Sequence, residues 1–392
     1  MEVEIGQIVS LAQELIRVPS LSGQEHEVAE LVRKRMIDLA YDEVGVDECG
    51  NVVGTIHGHR DAGSGKRLLF DGHLDTVAPV EPEEWTVDPF SGKLGQGRLY
   101  GLGALDMKGT VAAMIIAAAS LPRDEISGTV LVSASVGEEV SEGAALASVI
   151  EATEPDYVVI GEPSDFRLGV AQRGRAGIVL ETIGRASHSA KPTLGENAVY
   201  KMADVIYRLR EMDFPRDARL GEGSMELIEL ISSPYPSTSI IPSRCRARYD
   251  RRLVESETPE TVIMDIKEQL QDMPGVDVCL KEATLVCYTG YDLTGVDFHP
   301  AWSIPDDSEL ATKARRALRE IEMDPNPTAL EYCTNGSYSA GIAGIPTIVY
   351  GPPSISLAHA IDEYVEIQDL NRAAICFQAL ARALLQGEDA RQ

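Results

Sequence analysis

The sequence predicts an α/β fold, a sheet covered by helices on both faces, with a smaller α+β unit inserted into it. Three observations lead there. Short apolar, β-branched runs alternate with helix-period segments, as strands buried on both faces do. Between residues 176 and 292 the order becomes β-α-β-β-α-β, that of a ferredoxin-like unit. Finally, 392 residues exceed what one hydrophobic core usually organises. The expected organisation is one domain in two parts, 1–175 and 293–392, with 176–292 between them.

Taken in order, Ile5, Ile8, Leu11, Leu15 and Ile16 fall at helical spacing and stop before Pro19. A second helix follows from about Gln24 to Leu39, with Val28, Leu31, Val32 and Met36 on one face. Strands are expected around 43–56 and 67–71, then a long loop over 79–97 rich in Pro, Gly and acid. An Ala-rich helix runs from Met107 to about Leu121, and strands from Gly128 to Val136 and Tyr157 to Ile160. In the insert, strands near 178–183, 225–232, 239–252 and 277–287 frame helices at 197–212 and 259–273. A helix near 307–322, a strand at 346–350 and a last helix from 368 to 385 complete the first domain.

Composition narrows the function. With 62 acidic against 35 basic residues the formal charge is −27, which opposes nucleic acid or an anionic membrane as partner. The longest apolar tract, residues 111–119, is too short to span a bilayer, and Met1-Glu2-Val3-Glu4 lacks the basic start of a signal peptide. The six cysteines are scattered without a CxxC pair, so zinc fingers and a disulfide framework are disfavoured and a cytoplasmic location fits.

The chemistry gathers at strand ends. Phe70-Asp71-Gly72-His73-Leu74-Asp75-Thr76 puts an imidazole and a carboxylate two residues apart, able to face one site from an extended segment. Alone, the fragment reads equally as a polar turn. Gly101 to Gly109 carries Asp106 at a helix start, where an ordinary N-cap is the alternative. Gly137-Glu138-Glu139 follows a buried strand, where open α/β sheets place ligands, or forms a solvated acidic turn. Glu162 follows the next strand, and His359 lies beyond a later one. As a set, two imidazoles and several carboxylates suit zinc, with one carboxylate shared between two ions.

Those residues carry a resemblance. DGHLDT, the glycine-rich loop ending in DMKG, GEE, GEPS, SHSAKP and AHAIDE occur in the order found in the dinuclear zinc hydrolases that include acetylornithine deacetylase, succinyl-diaminopimelate desuccinylase, aminoacylase-1 and carboxypeptidase G. Residues 334–338 and 344–347 resemble the selenium-metabolism-linked branch. The resemblance implies a zinc-exopeptidase-like sheet with an inserted lid and dimerisation domain, and two divalent ions, zinc first, with cobalt or manganese as alternatives. It implies His73 and Glu139 on one ion, Glu162 and His359 on the other, and Asp106 bridging. Asp75 would orient His73, and Glu138 would be the general base. A non-trans peptide is implied after Asp106. His188 would donate to the oxyanion, in many members from a second subunit, and Asn197, Arg252 and Asn335 would contact substrate. For Arg252 a salt bridge within the insert is the alternative.

Leu102 and Thr110 depart from the Arg and Gly common in the family, at non-ligand positions. His26, His57, His59 and His299 match no motif and are read as surface or structural. The implied activity is hydrolysis of an N-acyl amino acid or short peptide by a homodimer. A dipeptidase or carboxypeptidase is the alternative within the class, and a silent metabolite-binding homologue the alternative outside it.

Overall fold

The computed structural model describes residues 4–59 and 65–385, so the reading of the extreme N-terminus falls largely outside the described residues. The central sheet is mixed. Its strands run in the order Glu43–Val46, Val52–His57, Thr129–Ser135, Arg67–His73, Tyr157–Ile160, Thr347–Val349, Leu168–Gln172 and Trp302–Ser303, with Pro327–Leu330 also pairing to Leu168–Gln172. The four strands from Thr129–Ser135 to Thr347–Val349 are parallel to one another. Thr129–Ser135 and Tyr157–Ile160 are buried at every position, as expected of strands covered on both faces.

Both faces are covered, and one strand demonstrates it. Phe70 packs edge-on against Phe377 of helix Ile367–Leu385, ring centroids 5.4 Å apart. Its neighbour Asp71 accepts a 2.8 Å bond from Asn335 on the opposite face. Helix Lys108–Ala119 is buried from Lys108 to Ala118 and packs between helices Ile5–Ile16 and Ile367–Leu385. Its alanines allow that close packing and favour the helix intrinsically. Among the described residues no helix is long and apolar enough to cross a membrane.

The second sheet runs Ser224–Ser233, Arg244–Leu253, Gly174–Ile183, Val276–Leu280, all antiparallel. Helices Ala198–Leu209 and Pro259–Gln269 bury Met202, Val205, Val262 and Ile266 against Ile178, Leu180, Ala247 and Tyr249, a core separate from the first. Thr258 caps the second of these helices through a reciprocal bond with Thr261.

The strand expected over 277–287 breaks at Lys281. Lys281 N donates to Gly177 O at 2.8 Å, and Asp297 N donates to Lys281 O at 2.8 Å, so the ladder passes to the returning chain. Residues Glu282–Val286 instead pair with Asp292–Val296 as a hairpin against the first domain. Tyr288 Oη donates to Gly50 O (2.9 Å) and Thr289 Oγ1 to Glu48 O (2.6 Å). Leu285 fills the space a side chain at Gly137 would need.

Candidate metal centre

His73 ends the strand Arg67–His73 and is 1% exposed. Its Nδ1 lies 2.9 Å from the backbone oxygen of Asp75, an acceptor that fixes a proton on Nδ1 and points Nε2 into the site. Nε2 lies 3.0 Å from Asp106 Oδ1 and 3.3 Å from Glu162 Oε1. Asp106 turns its other oxygen to His359, with Oδ2 3.5 Å from Nε2. His359 Nε2 also lies 2.8 Å from Glu139 Oε1. The five expected ligands thus converge.

Their shortest contacts group them otherwise than the resemblance implies. Two atoms bound tetrahedrally to one ion at ~2.0–2.1 Å lie ~3.3 Å apart. The shortest contacts of that length group His73 with Glu162 and His359 with Glu139, Asp106 spanning both. Glu139 also falls within 4.8 Å of His73 and Asp106, as does Glu138 of His73 and Glu162. One Glu139 oxygen sits on the His359 nitrogen, the shortest of these contacts.

Asp75 also departs from expectation. Its carboxylate is 3.6 Å from His73 Nδ1, too long to orient the ring. Instead Oδ1 accepts from Glu138 N and Oδ2 from Glu139 N, both at 3.1 Å, while Ser22 Oγ donates at 2.7 Å. Asp75 holds the Glu138–Glu139 turn, and its backbone oxygen holds His73. The Asp106–Met107 peptide is cis, as the resemblance implies.

Four carboxylates, Asp106, Glu138, Glu139 and Glu162, meet here with two imidazoles. Burial raises Glu162 to about 7, reinforced by the charge of Asp106. Glu138 is pushed well above the ordinary carboxylate range by burial and by Glu162, Glu142 and Glu139, against the attraction of His73. Burial alone would lower His73, but its bonds to Asp106 and Glu162 hold it well above its ordinary value. A donor set of nitrogen and carboxylate oxygen with surplus negative charge fits two divalent cations.

A cleft opens over this cluster, lined on the far side by Glu142, Arg175, Asp250, Arg252 and Cys333. Arg252 therefore faces the cleft, while its Nε pairs with Asp250 Oδ1 at 3.0 Å. Asn197 caps helix Ala198–Leu209 by accepting from Val199 N (2.9 Å). His188 is exposed on the insert and is not part of the cleft wall. Asn335 is also off the wall: 3% exposed, it accepts from Gly143 N (2.6 Å) and donates to Asp71 Oδ2 (2.8 Å) and Ser135 Oγ (3.1 Å). Its hydrogen-bonding capacity is committed to structure. Glu363 escaped the sequence reading although it lies in the quoted AHAIDE stretch: its Oε1 accepts from Leu105 N (2.8 Å) and Asp106 N (3.2 Å), fixing the Asp106 loop.

A sequence model of peptidase family M20/M25/M40 matches residues 69–383, a span enclosing all of these residues. The chain belongs to that family. Family members are hydrolases that depend on a pair of metal ions, and this chain is a hydrolase of amide or peptide bonds. Protein YgeY of Escherichia coli (strain K12), described as uncharacterized, is 29% identical over 391 residues, covering 96% of this chain and 94% of its own. Acetylornithine deacetylase of Buchnera aphidicola subsp. Schizaphis graminum is 27% identical, covering 93% and 94%. The crystal structure of aminopeptidase PepT from Bacillus cereus superposes with a TM-score of 0.75 at 21% identity, covering 97% of this chain and 99% of that one.

Proposed function

We propose that the protein hydrolyses the amide of an N-acyl amino acid or short peptide, with Glu138 as general base. The observation that carries this reading is the placement of Glu138. Its Oε2 lies 4.0 Å from His73 Nε2, beyond the shorter ligand contacts, in a side chain that is 6% exposed and lines the cleft. A carboxylate with raised proton affinity at that position suits taking a proton from water and delivering it to the leaving nitrogen.

His73, Asp106 and Glu162 would hold one divalent ion, and His359, Glu139 and Asp106 the other, with zinc the first choice and cobalt or manganese alternatives. When bound, such a pair polarises the scissile carbonyl and lowers the pKa of water. Asp75 keeps Glu138 and Glu139 in register through their backbone N–H groups. Arg252, 35% exposed in the cleft wall, is suited to a substrate carboxylate.

For His188, Nδ1 accepts from Ala190 N at 3.1 Å, leaving the proton on Nε2 as a donor for a developing oxyanion. Its distance from the cleft wall favours action from a second copy. The edge strand Ser224–Ser233 supports that assembly, since it leaves Ile228, Leu230 and Ile231 about half exposed. The N-cap role of Asn197 leaves only its amide NH2 for substrate.

The test is a screen of acetylated and succinylated amino acids and dipeptides with zinc, cobalt and manganese, repeated with Glu138→Gln. Turnover of one acyl class that disappears in the variant while both ions stay bound supports the reading. Turnover of dipeptides alone favours the peptidase alternative, and unchanged turnover in the variant removes Glu138 as base.

A further inference from the structure

The chain passes between the two sheets through a narrow neck where three backbone segments lie side by side. Gly177 N donates to Asp297 O (2.9 Å), and Lys281 bridges the same pair with two 2.8 Å backbone bonds. Phe298–His299 then pairs with Arg175–Ala176. Each segment brings a charge to one cluster. Arg175 Nη2 donates to Asp297 Oδ1 at 3.0 Å, Lys281 Nζ to Asp297 Oδ2 at 2.9 Å, and His299 Nε2 lies 3.1 Å from Asp297 Oδ1.

The cluster meets Glu142, on the turn that follows strand Thr129–Ser135 of the central sheet. Its Oε2 accepts from Arg175 Nη2 at 2.9 Å, Arg175 Nε lies 2.7 Å from Oε1, and His299 Nε2 lies 3.3 Å from Oε2. Its backbone oxygen faces His299 Nδ1 at 2.8 Å and accepts from Ser337 Oγ at 3.1 Å. The Glu142 side chain is 11% exposed and that of Arg175 18%, so water screens the pair weakly.

Glu142 belongs to the same tight turn as Glu138 and Glu139. Ser141 N donates back to Gly137 O (3.1 Å) and Glu138 O (3.2 Å). Asp75 grips the turn at one end and Asn335 at the other, through Gly143 N. Behind the neck, a cavity lined by Ser141, Glu142, Val296, Phe298, His299 and Tyr338 leaves the joint unpacked on that side. The ion cluster therefore shares, with the packing of Leu220 and Val254 against Ala171 and the hairpin contacts of Tyr288 and Thr289, in setting the angle at which the insert stands over the cleft.

We propose that Glu142 is a positioning residue, clamping the neck to the turn that carries Glu138 and Glu139. It thereby keeps Asp250 and Arg252 of the insert in register with the metal ligands. This rests on the hydrolase reading for its effect on rate, but its effect on domain angle can be read without any substrate.

The test uses the full chain with Cys279, the exposed cysteine among the described residues, changed to Ser. Spin labels are placed at Lys34→Cys in the first domain and Lys267→Cys in the insert, both exposed sites. Glu142→Gln is expected to broaden the interdomain distance distribution and lower kcat/KM about tenfold or more, with both ions retained. Adding Arg175→Gln should cost less than Arg175→Gln does alone, because the Glu142 contact is already open and only the pairs with Asp297 and Asp250 remain to be lost. Should Glu142→Gln fail to fold, Arg175→Lys is the milder probe, expected to change the same distribution in the same direction. An unchanged distribution in folded variants overturns the proposal, even if the rate falls. A changed distribution in a protein that cleaves no amide upholds the clamp and removes the hydrolase reading instead.

Discussion

Asp75→Asn separates two accounts of one carboxylate. Asp75 is fully buried, and its two oxygens accept from Glu138 N, Glu139 N and Ser22 Oγ at 3.1, 3.1 and 2.7 Å. The asparagine amide retains one acceptor oxygen and turns an NH2 toward whichever donors lose theirs. At least one backbone N–H of the turn is left without a charged acceptor, a loss of about 1.5–3 kcal/mol. If that loss falls on the positions of Glu138 and Glu139 in the transition state, kcat drops about ten- to a hundredfold. The His73 ring should stay in place, because the backbone oxygen of Asp75 holds it. The assay is steady-state kinetics on metal-loaded protein, with ion content measured on the same sample. Loss of the ion shared by His73 and Glu162, with kcat per loaded site unchanged, would refute this account and restore Asp75 as the orienter of His73.

Asn335→Ala leaves Gly143 N and Asp71 Oδ2 without their partner in a buried setting. Unfolding in urea should show a loss of about 2–5 kcal/mol, with KM unchanged because the side chain does not face the cleft. Burial, then the charge of Asp75, raises Glu25 from 4.5 to about 7. A raised carboxyl favours the folded state below its unfolded pKa, and that contribution is lost as pH rises through about 7, amounting to ~3 kcal/mol. Glu25→Gln should therefore unfold at higher urea than the parent at pH 8.5 and at a similar concentration at pH 4.5. Leu230→Glu, on the exposed edge of the insert, should convert a dimer to monomer in sedimentation and remove the activity attributed to His188 of a second copy.

Much of the site was legible because three of its candidate ligands, His73, Glu139 and Glu162, lie at or just past the ends of recognisable strands. Glycine, then acid or histidine, after a mostly apolar run marks the end of a buried parallel strand, and His73, Glu139 and Glu162 all follow that pattern. What could not be read was which ligands face each other. Glu162 and Glu139 follow the two strands flanking His73, so sequence order leaves both as possible partners. Only the turns after those strands decide. The contacts of Asp75 were hidden for a related reason: two residues of spacing show that it can approach His73, not that its carboxylate also accepts from Glu138 N and Glu139 N. Asn335 sits beside a motif yet points inward, and no periodicity marks that. Glu142, Arg175 and Asp297 share a cluster only because three distant segments meet at the neck. In the insert, the apolar run through 277–287 hid the break at Lys281, where the backbone changes partners in mid-run.

The helix Lys108–Ala119 bears on how the chain is made. It is enclosed on all sides, and one of its walls, Ile367–Leu385, is synthesised only after the insert and the remaining strands of the central sheet. While everything between the two helices is made, an alanine- and isoleucine-rich surface stays uncovered, the kind of exposure that draws chaperones or leads to aggregation. Shortening the C-terminal helix by a few turns should therefore reduce the yield of soluble protein far more than its distance from the ligands suggests.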